Sequence, residues 1–192
     1  DPQLVRRVGQ AMGEEVLEYG VDVLLAPGAN IHRNPLCGRN FEYYSEDPLL
    51  SGIIASAMIN GIQENGVGTS LKHFALNNCE INRLACDSRV SIKALREIYL
   101  RNWEICLEKS EPWTIMTSYN YLNGVYTSES SDLIEDVLRG DWGYKGCLMT
   151  DWGGGLHPIE QIRSGNDMIQ PGKGWQYDKI LNAVKEGELS EA

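Results

Sequence analysis

Apolar residues alternate between short continuous runs and longer helical spacings along this chain. The runs "VDVLLA" (21–26), "GTSLKHF" (68–74), "TIMTSY" (114–119), "GCLMTD" (146–151) and "DMIQ" (167–170) predict strands. Helical spacing predicts helices near 3–19, 47–64, 93–109, 131–139, 156–164 and 177–186. In "KALREIYLRNWEICLEK", Leu95, Ile98, Tyr99 and Ile105 fall on or near one face, and Ser91 stands where an N-cap belongs. Strand–helix alternation with short connections reads as an α/β fold with a mostly parallel sheet.

Two architectures fit that alternation, a doubly wound sheet and a (β/α) barrel. The first lacks its usual marks, since neither G-x-G-x-x-G nor a phosphate loop is present. The second is favoured by where the polar residues fall. "APGANIHRNP", "KHFALNNCE", "TSYNYLNG" and "TDWGGG" each follow the apolar part of a strand. Barrels carry their functional side chains at those strand ends. A full (β/α)8 TIM-type barrel needs eight strands and typically about 250 residues. The five strands predicted in 192 residues therefore imply a single domain, 1–192, that is an incomplete barrel. The helix ahead of the first strand leads us to expect a strand upstream.

Composition narrows the partners. Net charge is −10 and the basic residues are scattered, which disfavours nucleic acid. No run of 18 apolar residues exists to span a membrane. The five cysteines are odd in number and form no C-x-x-C pair, which argues against a disulfide framework and a zinc site. Small free thiols favour a reducing compartment, hence the cytoplasm. His32, His73 and His157 have no metal-ligand spacing, so neither metal nor other cofactor is expected.

The candidate chemistry collects at the strand ends. Asp151 ends an apolar strand and is followed by Trp152 and three glycines. As a plain structural residue it would cap a turn; as a functional one it is a nucleophile or general base at a barrel mouth. An indole in a glycine-rich loop suits the flat C–H face of a sugar. Lys72 and His73 stand together at a strand exit, where alternation aims one inward and lets the other reach along the rim. Arg39 lies in the polar loop "CGRNFEYYSEDP" and Arg83 in "NNCEINR"; either could equally serve a surface ion pair. Met116, on its own, is most simply a core residue, and Tyr119 follows it on the same strand. One carboxylate, several donors and two aromatics suit a neutral, polyhydroxylated ligand.

"LLAPGANIHRNPLCGRNFEYYSEDP", "LKHFALNNCEINR", "ALREIYLRNWE", "MTSYNYLNG" and "LRGDWGYKGCLMTDWGG", in that order, resemble the catalytic barrel domain of glycoside hydrolase family 3, nearest to its β-glucosidases. The resemblance implies a retaining hydrolase that removes terminal β-D-glucosyl residues. Asp151 matches the nucleophile, and Trp152 the indole beside the sugar. Arg39, Lys72, His73 and Arg83 match residues that bond the sugar hydroxyls; Met116 matches a residue lining the subsite, and Tyr119 a tyrosine near the nucleophile. The charged neighbours are expected to keep Asp151 ionised. The resemblance also implies an aspartate upstream of this chain and an acid/base from a second domain or partner chain. "KHFALNN" lacks the second histidine of the N-acetylglucosaminidase branch, and Glu42 and Glu80 read as structural. A non-catalytic carbohydrate-binding fragment or relic, or a β-xylosidase of the same family, is the alternative.

Overall fold

The computed structural model describes residues 1–191. Its longest strand, β2 (Gly68–Phe74), is buried along nearly its whole length. It pairs in parallel with β1 (Val23–Leu24) on one side and β4 (Thr114–Thr117) on the other; β4 pairs in parallel with β7 (Cys147–Met149). The sheet order β1-β2-β4-β7 is the order in the chain, each crossover carrying helical structure over one face. This is an open segment of barrel wall. A single parallel bridge between Met149 and Met168 is what forms of the strand predicted at 167–170, and the one predicted at 21–26 shrinks to two residues.

Register sorts the side chains. Leu71, Ile115 and Leu148 align across β2, β4 and β7 and lie in the main apolar core, with Ile59, Phe74, Trp103 and Leu138. Phe74 packs edge-on against Trp103 at 5.0 Å between ring centroids. The next row, Lys72, Met116 and Met149, faces the opposite side because strand side chains alternate. That side is the concave interior of the wall.

The helices cover the other face. α1 (Pro2–Glu18) and α2 (Pro48–Gln63) each begin with an aspartate cap and a first-turn proline, as the "DP" pairs at 1–2 and 47–48 dictate. They cross closely, and a Cβ on Gly61 would run into the carbonyl oxygen of Arg6. α2 also packs on α4 (Arg101–Lys109).

The helix predicted over 93–109 is interrupted. A short α3 (Ile92–Ala94), capped by the Ser91 hydroxyl as expected, leads into a π-helical turn at Leu95–Tyr99 and then into α4. The extra residue per turn rotates the apolar stripe. Leu95 and Ile105 stay buried, whereas Ile98 is 41% exposed. Asp132–Asp141, predicted as an ordinary helix, is π-helical too. α5 (Pro158–Arg163) and α6 (Gly174–Lys185) follow.

A second small sheet lies over the strand ends, in the order β3 (Asp87–Ser88), β5 (Tyr121–Leu122), β6 (Val125–Tyr126). The β5–β6 hairpin turns on Asn123 and Gly124, both at positive φ, the geometry an Asn-Gly pair favours. Two-residue strands give too little periodicity to be read from sequence.

Candidate active site

The C-terminal ends of β2, β4 and β7 open on the concave face, and the predicted residues gather there. Pairing between β2 and β4 slips after Lys72: Lys72 aligns with Met116, but Phe74 aligns with Thr117, leaving His73 as an extra residue. Such a bulge re-aims side chains. Lys72 and His73 therefore both serve the mouth, in place of the one-in, one-along-the-rim split expected from alternation.

Asp151 lies just past the end of β7, with its side chain only 11% exposed. Its Oδ1 accepts the Trp152 backbone N–H at 2.7 Å. Its Oδ2 is buried with no hydrogen-bond partner, and stands 3.7 Å from Nε2 of His73. That separation exceeds a hydrogen bond. Burial pushes the Asp151 carboxyl above its ordinary pKa; the Trp152 amide, the Tyr119 hydroxyl, Arg39 and Arg83 oppose it without prevailing. The charged neighbours act to lower the pKa, and burial outweighs them. Lys72 is committed elsewhere, to Glu42 at 3.2 Å.

Glu42 holds two cations at once, the second being Arg39, whose Nε is 2.5 Å away. Burial acts to raise the Glu42 pKa, but Arg39 and Lys72 together bring it below the ordinary value. Arg83 bonds Glu80 at 2.9 Å and places its guanidinium over the Tyr119 ring, 4.5 Å from the centroid. The Tyr119 hydroxyl donates to the Trp152 carbonyl at 3.1 Å. Burial first and Asp151 second push that phenol up to about 12. Met116 is buried in the inward row beside Lys72, on the face away from the main core. Trp152 is 54% exposed, its indole free at the mouth.

Several side chains that hold this geometry went unremarked in the sequence. Buried Asn30 clamps the His73 backbone in both directions, each bond 2.9 Å. Tyr43 and Asn77 reach the His73 ring, Tyr43 directly through a 3.0 Å bond to Nδ1. Glu129 accepts the N–H groups of Leu156 and His157 and contacts Nδ1 of His157, which fixes the loop beyond Trp152. Asn30, Tyr43 and Asn77 sit inside polar loops and Glu129 ends a short 3-10 turn, where their composition was visible but their partners were not.

The arrangement offers one oxygen without a partner, surrounded by cationic and neutral donors, beside an open aromatic face. Among the described residues no cluster of three or more potential metal ligands occurs, and no helix is long and apolar enough to cross a membrane. An open surface depression of about 670 Å³ lies elsewhere, at the N-terminal end of β7 among Glu135, Arg139, Cys147 and Asp167.

Comparison with known proteins agrees along the whole chain. The model for the glycosyl hydrolase family 3 N-terminal domain matches residues 1–192. The thermostable β-glucosidase B of Acetivibrio thermocellus is 47% identical over 192 residues, and so is an exo-α-(1→6)-L-arabinopyranosidase of Bifidobacterium breve. The chain spans about a quarter of the length of these relatives, 25% of each. β-Glucosidase 3B of Thermotoga neapolitana, solved with glucose, superposes with a TM-score of 0.97 at 56% identity, over all of this chain and 28% of that one. The family 3 β-glucosidase of Bifidobacterium adolescentis gives 0.96 at 45%, again over all of this chain and 28% of that one. An open barrel wall, five motifs in series and a match from end to end establish that the chain belongs to glycosyl hydrolase family 3.

Proposed function

We propose that this chain supplies the nucleophile and the sugar-binding wall of a retaining β-glucosidase. The observation that carries this reading is Asp151: buried, at a strand's C-terminal end, with Oδ1 anchored and Oδ2 unpartnered. In the first step Oδ2 attacks the anomeric carbon, the glycosidic bond breaks, and an acid protonates the leaving oxygen. In the second, water adds at the same carbon and the Asp151 carboxylate leaves. Arg39, Lys72, His73 and Arg83 bond the sugar hydroxyls, Met116 and Tyr119 line the subsite, and Trp152 stacks on the ring. Hydroxyl contacts that tighten in the oxocarbenium-like transition state contribute several kcal/mol, roughly, to acceleration.

The acid/base comes from outside this chain, from a second domain or a partner. Glu42 and Glu80 do not fit the role, since each is held in a salt bridge. In a retaining pair the incoming carboxyl sits about 5–5.5 Å from Asp151. The domain composition follows: 1–192 as one barrel segment, completed by strands and an acid-bearing unit elsewhere in the polypeptide or its partner.

Equal identity to an arabinopyranosidase supports a second reading, in which the glycone is a pentopyranose lacking the hydroxymethyl group. Full-length protein treated with 2-deoxy-2-fluoro-β-D-glucosyl fluoride is expected to trap the sugar as an ester on Asp151, read by peptide mass spectrometry. No label, or label on another residue, sinks the nucleophile assignment and leaves a sugar-binding role. Higher kcat/KM on 4-nitrophenyl α-L-arabinopyranoside than on the β-D-glucopyranoside moves the glycone to the pentose.

A further inference from the structure

A chain of hydrogen bonds reaches His73 from behind, on the side away from Asp151, and its direction is fixed. Glu80 takes the Arg83 guanidinium on one oxygen and the Asn77 side-chain amide on the other, at 2.9 and 3.0 Å. A carboxylate held by arginine accepts only, so Asn77 must turn its NH2 toward Glu80. The same nitrogen lies 3.0 Å from the Tyr43 hydroxyl oxygen and donates its second proton there. With its oxygen accepting from Asn77, the Tyr43 hydroxyl has its own proton left to give. The acceptor in reach is Nδ1 of His73, at 3.0 Å. Burial pushes the Tyr43 phenol pKa well upward, so that proton is retained.

The His73 ring is buried, and burial together with Arg39, Lys72 and Arg83 holds it neutral. A neutral imidazole that accepts at Nδ1 carries its proton at Nε2. Nε2 is the atom that faces Asp151 Oδ2 at 3.7 Å. The opposite tautomer would aim a lone pair at a carboxylate.

We propose that Tyr43 and Asn77 are positioning residues that lock His73 in its Nε2–H tautomer, so that it offers a donor to a hydroxyl bound beside Asp151. The role given to that donor rests on the glycosidase reading above; the lock itself does not. Tyr43 and Asn77 touch no substrate in this scheme and act only through the ring.

The test uses full-length protein carrying 15N-histidine. Long-range 1H–15N spectra report which ring nitrogen is protonated, and the signal lost in His73→Gln assigns the residue. Wild type is expected to show a protonated Nε2 and a bare Nδ1. Tyr43→Phe removes the donor, and Nδ1–H should appear. Asn77→Asp keeps the hydroxyl but draws its proton away from the ring, and should shift the tautomer the same way if Tyr43→Phe fails to fold. Tyr43→Phe should also lower kcat/KM roughly tenfold or more, yet change it less than about twofold once His73 is already glutamine.

A wild-type ring protonated at Nδ1, or tautomers unmoved in both variants, overturns the proposal. So does a Tyr43→Phe loss that persists undiminished in the His73→Gln background. The spectra need no turnover. A correct tautomer with no label on Asp151 sinks the glycosidase reading and leaves the lock standing; labelled Asp151 with the wrong tautomer does the reverse.

Discussion

His73 on β2 and Asp151 beyond β7 come within 3.7 Å of each other, although β4 lies between their strands. Two strand spacings, about 9.6 Å in a flat sheet, separate those backbones. The gap closes because both side chains project from the concave side past the strand ends, where the bulge at Lys72–Phe74 turns His73 inward. The result is a neutral imidazole set against a buried carboxylate.

Asp151→Asn tests what that carboxylate costs. Its pKa is raised in the fold, so protonation stabilises the native state, and the ionised form at neutral pH is a liability. The variant should lose at least roughly 10³-fold in kcat/KM. It should also unfold at a higher temperature. Differential scanning of full-length wild type and variant decides; a lower Tm in Asp151→Asn contradicts the account of an undercompensated charge.

His73 has the opposite linkage. Its folded pKa lies well below the ordinary value of 6.5, so its contribution is complete above that pH and is lost as pH falls toward the folded value. Between pH 7 and pH 5 wild type should lose stability faster than His73→Gln. Denaturant unfolding across that window gives the comparison, and parallel pH slopes for the two proteins would count against a buried neutral ring.

Glu42→Gln should uncouple two cations from the wall. Glu42 is the shared partner of Arg39 and Lys72, all three being mostly buried side chains. Losing its charge leaves both without an anchor, and kcat/KM is expected to fall roughly tenfold or more. Labelling of Asp151 by the fluoroglucoside should slow in step. Kinetics within twofold of wild type would mean the cations hold their places without it.

Gly61→Ala probes the scaffold rather than the chemistry. The added methyl would meet the Arg6 carbonyl where α1 crosses α2, and rigid backbone lies on both sides. The helices must separate, at about 1–3 kcal/mol. A matching drop in denaturation midpoint is expected, with kcat/KM little changed because the crossing lies on the far face of the sheet. An unchanged midpoint would show that the helices can part freely.

The sequence by itself determined the alternation of strands and helices, the cap at Ser91, and the placement of polar clusters after apolar runs. These are local matters: a strand's period or a serine's reach is settled within a few residues. The candidate residues were legible for the same reason, since Asp151, Lys72 and His73 stand at strand exits that the hydrophobic pattern marks, and Arg39 and Arg83 in the polar loops that follow. The π-helical turns were not legible, because one extra residue per turn is decided by packing against the core. Tertiary structure alone decided who partners whom. Glu42 takes Lys72 from Asp151, Tyr43 reaches His73 from thirty residues away, and burial outweighs the arginines at Asp151. Each of these depends on distances between distant segments and on how much water the fold removes, and neither quantity exists until the wall is assembled.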